Sequence, residues 1–229
     1  MLKKEIKKLD PFISTSARVL GHLHKNSRSY MFALVGLVVF SGIVGVWYFQ
    51  HSKKEGLASD AYYEAIRKME HVFLSKDKNE PNLDDLKEPL QQLQAVSKKY
   101  SKTMGSVFSS LKLGHVYYNQ KQYKEALTFF HQAEKQCKDR FFSTLISYNL
   151  AYTYESLKEW NKCESYFEKL QASDIDFWSV SGYLGKGRCL EGLGQREQAK
   201  QVYETLKQKL PKYQKQADEY LSLLSYEKK

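Results

Sequence analysis

The chain holds 229 residues, 42% hydrophobic and 14% aromatic, with 12 Gly and 4 Pro, which suits one or two domains of long helices. Half of the net charge of +10 sits in the first 29 residues; beyond Phe49, 29 cations face 24 anions. There the signs alternate along helix faces (Lys121, Lys124, Glu125; Arg196, Glu197, Lys200), which excludes a phosphate-tracking stripe and with it nucleic-acid binding.

The first segment, residues 1–29, is a basic tail in which Lys3, Lys4, Lys7, Lys8, Arg18, Lys25 and Arg28 outnumber Glu5 and Asp10. Phe12, Ile13, Val19, Leu20 and Leu23 can line one face of a helix lying on an anionic leaflet; a disordered tail that only sets topology is the alternative. Residues 30–49, YMFALVGLVVFSGIVGVWYF, carry no charge and match the ~30 Å hydrocarbon thickness at ~1.5 Å per residue. Tyr30, Trp47 and Tyr48 sit at its ends, where amphipathic rings favour the interface. The run is too long for a signal peptide and lacks a small-x-small site downstream, so it is expected to remain as a transmembrane anchor. Ser41 and Gly45 form a small-xxx-small pair that permits close helix contact. The excess of cations before the span predicts a cytoplasmic N-terminus, moderated by Lys53 and Lys54 just after it.

Residues 50–106 read as a juxtamembrane helix and a degenerate hairpin. Ala61, Ala65, Ile66, Met69, Val72 and Phe73 fall at helical spacing within Leu57 to Leu74, which can run on from the span. Lys76 to Asn82 is a polar loop ending in a helix-initiating Asn. Leu83 to Tyr100 forms a second helix, with Leu86, Leu90, Leu93 and Val96 on one side and Pro89 bending it or delaying its regular start.

Residues 107–229 repeat. Leu113-Gly114 and Tyr117 are followed by Ala126, Phe130 and Ala133; Leu150-Ala151 and Tyr154 by Cys163, Phe167 and Leu170; Gly187 and Leu190 by Ala199, Tyr203, Leu206 and Pro211. Small residues belong where two helices of a hairpin cross, and the aromatic four positions on fills the space beyond. Gly114 to Ala151 spans 37 residues and Ala151 to Gly187 spans 36, an excess that long connections around Phe141–Ser143 and Phe177–Ser179 would explain. A final helix, Tyr213 to Tyr226, turns Ala217, Tyr220, Leu221 and Leu224 inward and Lys212, Lys215, Asp218 and Glu219 outward, as a cap does.

This spacing resembles the tetratricopeptide repeat family, whose period is roughly 34 residues, although the Trp of its pattern is missing from all three copies. The expected fold is therefore all-α: a single N-terminal transmembrane helix, then a tetratricopeptide-like α-solenoid of hairpins with a C-terminal capping helix. The resemblance implies that the first helices line a concave face for extended or helical peptides. Carried onto this chain, the groove residues are Phe108, Leu111, His115 and Tyr118, then Leu145, Tyr148, Tyr152 and Glu155, then Leu184, Arg188 and Glu191. Leu111 and His115 stand where a carboxylate clamp would need Lys, Arg or Asn, so that clamp is disfavoured. Tyr148 and Leu184 have a second reading, packing against the C-terminal helix.

Cys137, Cys163 and Cys189 have no C-x-x-C spacing and no nearby His pair, and their odd number argues against a disulfide framework while leaving one bridge open. Cys163 takes the place of a crossing alanine and reads as a small buried hydrophobe. His115 and His131 read as surface or packing residues. With no phosphate-cradling Gly loop, nucleophile elbow or H-E-x-x-H, no catalysis, cofactor, metal or small-molecule substrate is expected. The layout of anchor plus repeats is similar to the bacterial YfgM-like ancillary translocon subunits. That likeness implies a single-pass protein of the inner membrane, with a periplasmic repeat domain whose protein partners are the SecYEG translocon and periplasmic chaperones, and lipid contact through residues 30–49. A scaffold or accessory subunit of another envelope complex, for secretion or division, is the alternative.

Overall fold

The computed structural model describes His22, residues 24–75 and residues 82–226. The tail reading on Phe12, Ile13, Val19, Leu20 and Leu23, and the loop from Lys76 to Pro81, lie outside the described residues. The described elements are helices: α1 (Ser27–Ser75), α2 (Lys87–Lys99), α3 (Met104–Asn119), α4 (Tyr123–Gln136), α5 (Arg140–Ser156), α6 (Trp160–Gln171), α7 (Asp176–Gly192), α8 (Arg196–Lys209) and α9 (Gln214–Tyr226), with a 3₁₀ turn at Pro211–Tyr213.

The chain divides into two compact units, Met1–Lys53 and Lys54–Lys229. In the first, the apolar stretch of α1 is long and apolar enough to cross a membrane, and none of its most apolar window is buried by protein. Within it the Ser41 hydroxyl is satisfied by the helix itself, Oγ donating to the Val38 carbonyl at 2.8 Å. Trp47 stacks on His51 at 5.5 Å.

The second unit is a stack of helical hairpins. The last part of α1 and α2 form the first: Ala65 and Met69 share a core with Leu86, Leu90 and Leu93, which Leu113 and Val116 of α3 close. Asn82 caps Asp85 N–H with its side chain while its own N–H donates to the Asp85 carboxylate, both at 3.0 Å. Regular helix nevertheless begins only at Lys87, because Pro89 has no N–H to give the first turn.

The hairpins α3–α4, α5–α6 and α7–α8 repeat in detail. Each first helix ends in the same backbone device, in which the residue after the cap turns left-handed: Lys121 (φ 59°), Lys158 (φ 59°) and Gly194 (φ 75°). The next N–H then reaches back into the last turn: Gln122 to the Tyr117 carbonyl, Glu159 to Tyr154 and Gln195 to Leu190, at 2.8–2.9 Å. At the crossings, Ala126, Cys163 and Ala199 are fully buried. A Cβ on Gly114 would meet the Phe130 ring at 2.4 Å, and one on Gly187 would meet Tyr203 at 2.1 Å, so both aromatics lie directly on glycine backbone. Ala151 is likewise fully buried in the core that holds Phe167, and that ring lies on Gly185 of the next hairpin.

Two sequence expectations need correction. Phe141–Ser143 and Phe177–Ser179 are not connections; they lie in the first turns of α5 and α7, so the extra residues per repeat lengthen the first helices. The Asp139 side chain, accepting from Phe142 N–H at 3.0 Å, starts α5 early, as Thr103 does for α3 through Ser106 N–H at 3.1 Å. Cys163, besides being buried, is bonded to Cys189 of α7, with Cα atoms 6.1 Å apart, which staples the second repeat to the third. Cys137 is free.

Candidate partner-binding face

The first helices α1, α3, α5 and α7 supply the face on which the expected groove residues lie, and the structure sorts those residues into three groups. Four remain on the face, partly exposed and offering polar atoms. His115 Nε2 faces Asn149 Oδ1 at 2.9 Å, and Tyr118 hydroxyl meets Ser156 Oγ at 3.2 Å. Tyr148 packs on Tyr152 with ring centroids 4.6 Å apart, and Tyr152 in turn stands edge-on to Phe167 at 5.0 Å. Burial, then the neighbouring Tyr152, pushes the Tyr148 hydroxyl up to about 12, so it is a neutral hydrogen-bonding group at any physiological pH.

Two more, Phe108 and Leu145, pack mainly within the fold while keeping partial exposure. Phe108 sits between Tyr62 of α1, at 5.9 Å, and Phe142 of α5, at 5.0 Å.

The remaining five are engaged. Leu111 is 5% exposed and belongs to the core, which corrects its assignment to the groove; it follows Val107 on the inward stripe of α3. Leu184 packs against clusters containing Ala217 and Leu224, so the C-terminal helix covers it. The second reading therefore holds for Leu184, while Tyr148 packs on Phe177 and Trp178 of α7 instead. Glu155 and Arg188 form a two-pronged ion pair at 2.6 and 3.0 Å across the second and third repeats. The Arg188 guanidinium also lies over the Tyr152, Phe167 and Tyr220 rings, and donates to the Tyr220 hydroxyl at 3.3 Å. Burial alone would lower the pKa of Arg188, but the Glu155 carboxylate more than offsets it and holds the charge in place. Glu191 is taken by the Tyr203 hydroxyl. In the third repeat these groove residues are thus engaged by neighbours on α5, α8 and α9 while staying partly exposed.

The chain belongs to the tetratricopeptide repeat-like family. Its family model, described as a tetratricopeptide repeat-like domain, matches residues 23–223. Among solved structures, the chain is similar to kinesin light chain nearly identical TPR-like repeats from Podosopora anserina, at 15% identity and a TM-score of 0.48, over 69% of this chain and 93% of that one. A search of curated proteins found no match. Folds of the tetratricopeptide type typically serve as protein–protein interaction scaffolds.

Tetratricopeptide geometry also joins Phe108 to residues that the motif did not single out. Tyr62, Phe108, Phe142, Phe141 and Trp178 form an unbroken line of ring contacts across α1, α3, α5 and α7, each centroid within 6.4 Å of the next. Phe141 and Phe177 are half exposed, at 51% and 56%. The signal for them was present, since Phe-Phe and Phe-Trp recur at the same place in successive repeats.

On the tetratricopeptide domain's other helices, His131 bridges Tyr154 hydroxyl at 2.6 Å and Glu134 at 3.0 Å, with Tyr166 also donating to Glu134 at 3.1 Å. Burial raises the pKa of both tyrosines, which keeps their hydroxyls protonated.

His115 makes the domain's stability depend on pH. Burial, with Lys112 nearby, lowers its pKa below 6.5, only partly opposed by the Asn149 hydrogen bond. The unfolded chain therefore binds this proton more readily than the folded one, so stability is complete above the unfolded value and falls as pH drops through it. The urea midpoint of the protein should decline as pH falls through about 6.5, the ordinary histidine value, and His115→Gln should flatten that part of the decline. An unchanged slope in the variant would show that other groups carry it.

Proposed function

We propose that the chain is a non-catalytic, membrane-anchored tetratricopeptide scaffold that holds apolar or amphipathic segments of protein partners along α1, α3 and α5. The observation that carries this reading is the partly exposed row of His115, Tyr118, Tyr148 and Tyr152, which offers ring surface with hydrogen-bonding tips and no activated nucleophile. The anchor is the charge-free stretch 30–49, with the basic tail on the cytoplasmic side. The bonded pair Cys163–Cys189 favours an oxidising compartment for the repeats, which fits a periplasmic domain.

Layout then points to the translocon-associated ancillary subunits, with the SecYEG translocon and periplasmic chaperones as partners. The anchor keeps the face at the membrane surface, so a segment emerging there meets it at raised local concentration. A scaffold for another envelope assembly uses the same face with a different partner.

Affinity capture of the full-length chain in mild detergent separates the two by what is recovered. The double variant Tyr118→Ala/Tyr148→Ala should lower the recovery of the specific partner by roughly tenfold, two anchoring aromatics being worth at least ~1.4 kcal/mol together. Its far-ultraviolet circular dichroism should not change, since both side chains are partly exposed. Undiminished recovery would place binding elsewhere on the chain.

A further inference from the structure

We infer that one edge of the tetratricopeptide domain, the one formed by the connections between successive hairpins, docks on the headgroups of an anionic phospholipid surface. Side-chain contacts join these connections in a row. Lys54 Nζ donates to the Ser101 carbonyl at 3.0 Å, and Lys102 N–H to Gln136 Oε1 at 3.3 Å. Arg140 pairs with Asp174 at 3.3 Å, and Tyr213 hydroxyl donates to Asp176 at 3.4 Å.

Cations outnumber carboxylates along this edge, seven to four. Lys98, Lys99, Lys102, Lys138, Arg140, Lys209 and Lys212 are all exposed there. The carboxylates among them are committed: Asp139 caps α5, Asp174 holds Arg140, Asp176 accepts from Tyr213 and Glu55 accepts from Met104 N–H at 3.0 Å. Between these cations stand Phe141, Ile175 and Phe177, each about half exposed. Basic side chains interleaved with aromatic and aliphatic ones are what a headgroup layer takes up: the cations meet phosphate, and the rings settle at the acyl boundary. The opposite edge exposes Phe73, Leu74 and Leu223, but within the described residues its turns around Lys121, Lys158 and Gly194 set no such large apolar side chains among cations.

Chain length supplies the occupant. Only Gln50 to Lys53 separate Phe49 from Lys54, a tether of at most about 18 Å even when extended. If residues 30–49 span a bilayer, the edge that carries Lys54 and Ser101 is held within reach of that bilayer's headgroups. The inference rests on the anchor reading to that extent, and adds that charge, not the tether alone, seats the edge.

The full-length chain in nanodiscs tests this. With Cys137→Ser and the Cys163–Cys189 bond intact, a bimane label is placed at Ser101→Cys on this edge or at Asn119→Cys on the other, and quenching by a nitroxide on the lipid headgroup is measured. In discs containing phosphatidylglycerol, the label at 101 should be quenched roughly threefold more than the label at 119. The difference should shrink in pure phosphatidylcholine and in the variant Lys98→Glu/Lys99→Glu/Lys138→Glu. The corresponding Gln variant serves if the reversals disturb folding. Equal quenching at the two edges, or quenching at 101 that ignores lipid charge and the lysine changes, overturns the inference while leaving the anchor intact. A chain that does not stay with the bilayer overturns both.

Discussion

Replacing Gly187 by valine should lower the stability of the tetratricopeptide domain by about 3 kcal/mol, read as a drop in urea midpoint with an unchanged slope. Helix propensity alone predicts the opposite sign, since glycine inside a helix costs roughly 0.5–1 kcal/mol relative to alanine. Packing decides, because a Cβ at 187 would lie 2.1, 2.2 and 2.6 Å from three atoms of the Tyr203 ring and hydroxyl. That ring cannot retreat: it is fully buried, its hydroxyl is bonded to Glu191, and Tyr220 of α9 lies 5.2 Å beyond it. Gly56→Ala is the control, with nothing within 4 Å of the new methyl in the same kind of helical backbone. It should stabilise by up to ~1 kcal/mol. A tolerated valine at 187 would mean that the third hairpin does not cross where Gly187 and Tyr203 place it.

The second large effect is expected from the double variant Cys163→Ala/Cys189→Ala. Alanine already occupies the equivalent crossing positions at 126 and 199, so the change at 163 suits the repeat and the cross-link is what is lost. A bridge over a sequence separation of 26 residues is worth about 3.5 kcal/mol in the chain-entropy account. In a stack stabilised by nearest neighbours, the loss should fall on the coupling of the second and third repeats, broadening the unfolding transition. Both sulfurs belong to fully buried residues, so reductant should act on the wild-type protein only when denaturant opens it. Identical midpoints for wild type and variant under oxidising conditions would contradict the bond.

These two sites show what could be read in the sequence and what could not. Gly114 and Gly187, with Phe130 and Tyr203 on the partner helices, were legible because a close crossing admits almost no other residue types. The left-handed turns at Lys121 and Lys158 were not, because lysine carries no sign of that conformation; only Gly194 does. The surplus residues per repeat were counted correctly but placed in connections, since period alone cannot tell a longer loop from an extra helical turn. Helical spacing put Leu111 on the face with Phe108 and His115, yet at 3.6 residues per turn it falls on the inward side with Val107 and Gly114. The partner of Cys163 depended on how successive hairpins stack, and so emerged only with the fold. The engagement of Arg188 by α9 is of the same kind: Tyr220 and Leu221 read as inward from their spacing, but Tyr220 meeting Arg188 is a tertiary fact.

The reading of this face as a place that holds protein segments is tested most directly by crosslinking in the cell. A photoreactive phenylalanine analogue at Tyr118 or Tyr148 should give discrete adducts with the same partner, while the analogue at exposed Glu125 or Lys200 on the second helices should give none. Adducts that form equally from positions 125 and 200, or that form from no position on the face, would contradict it.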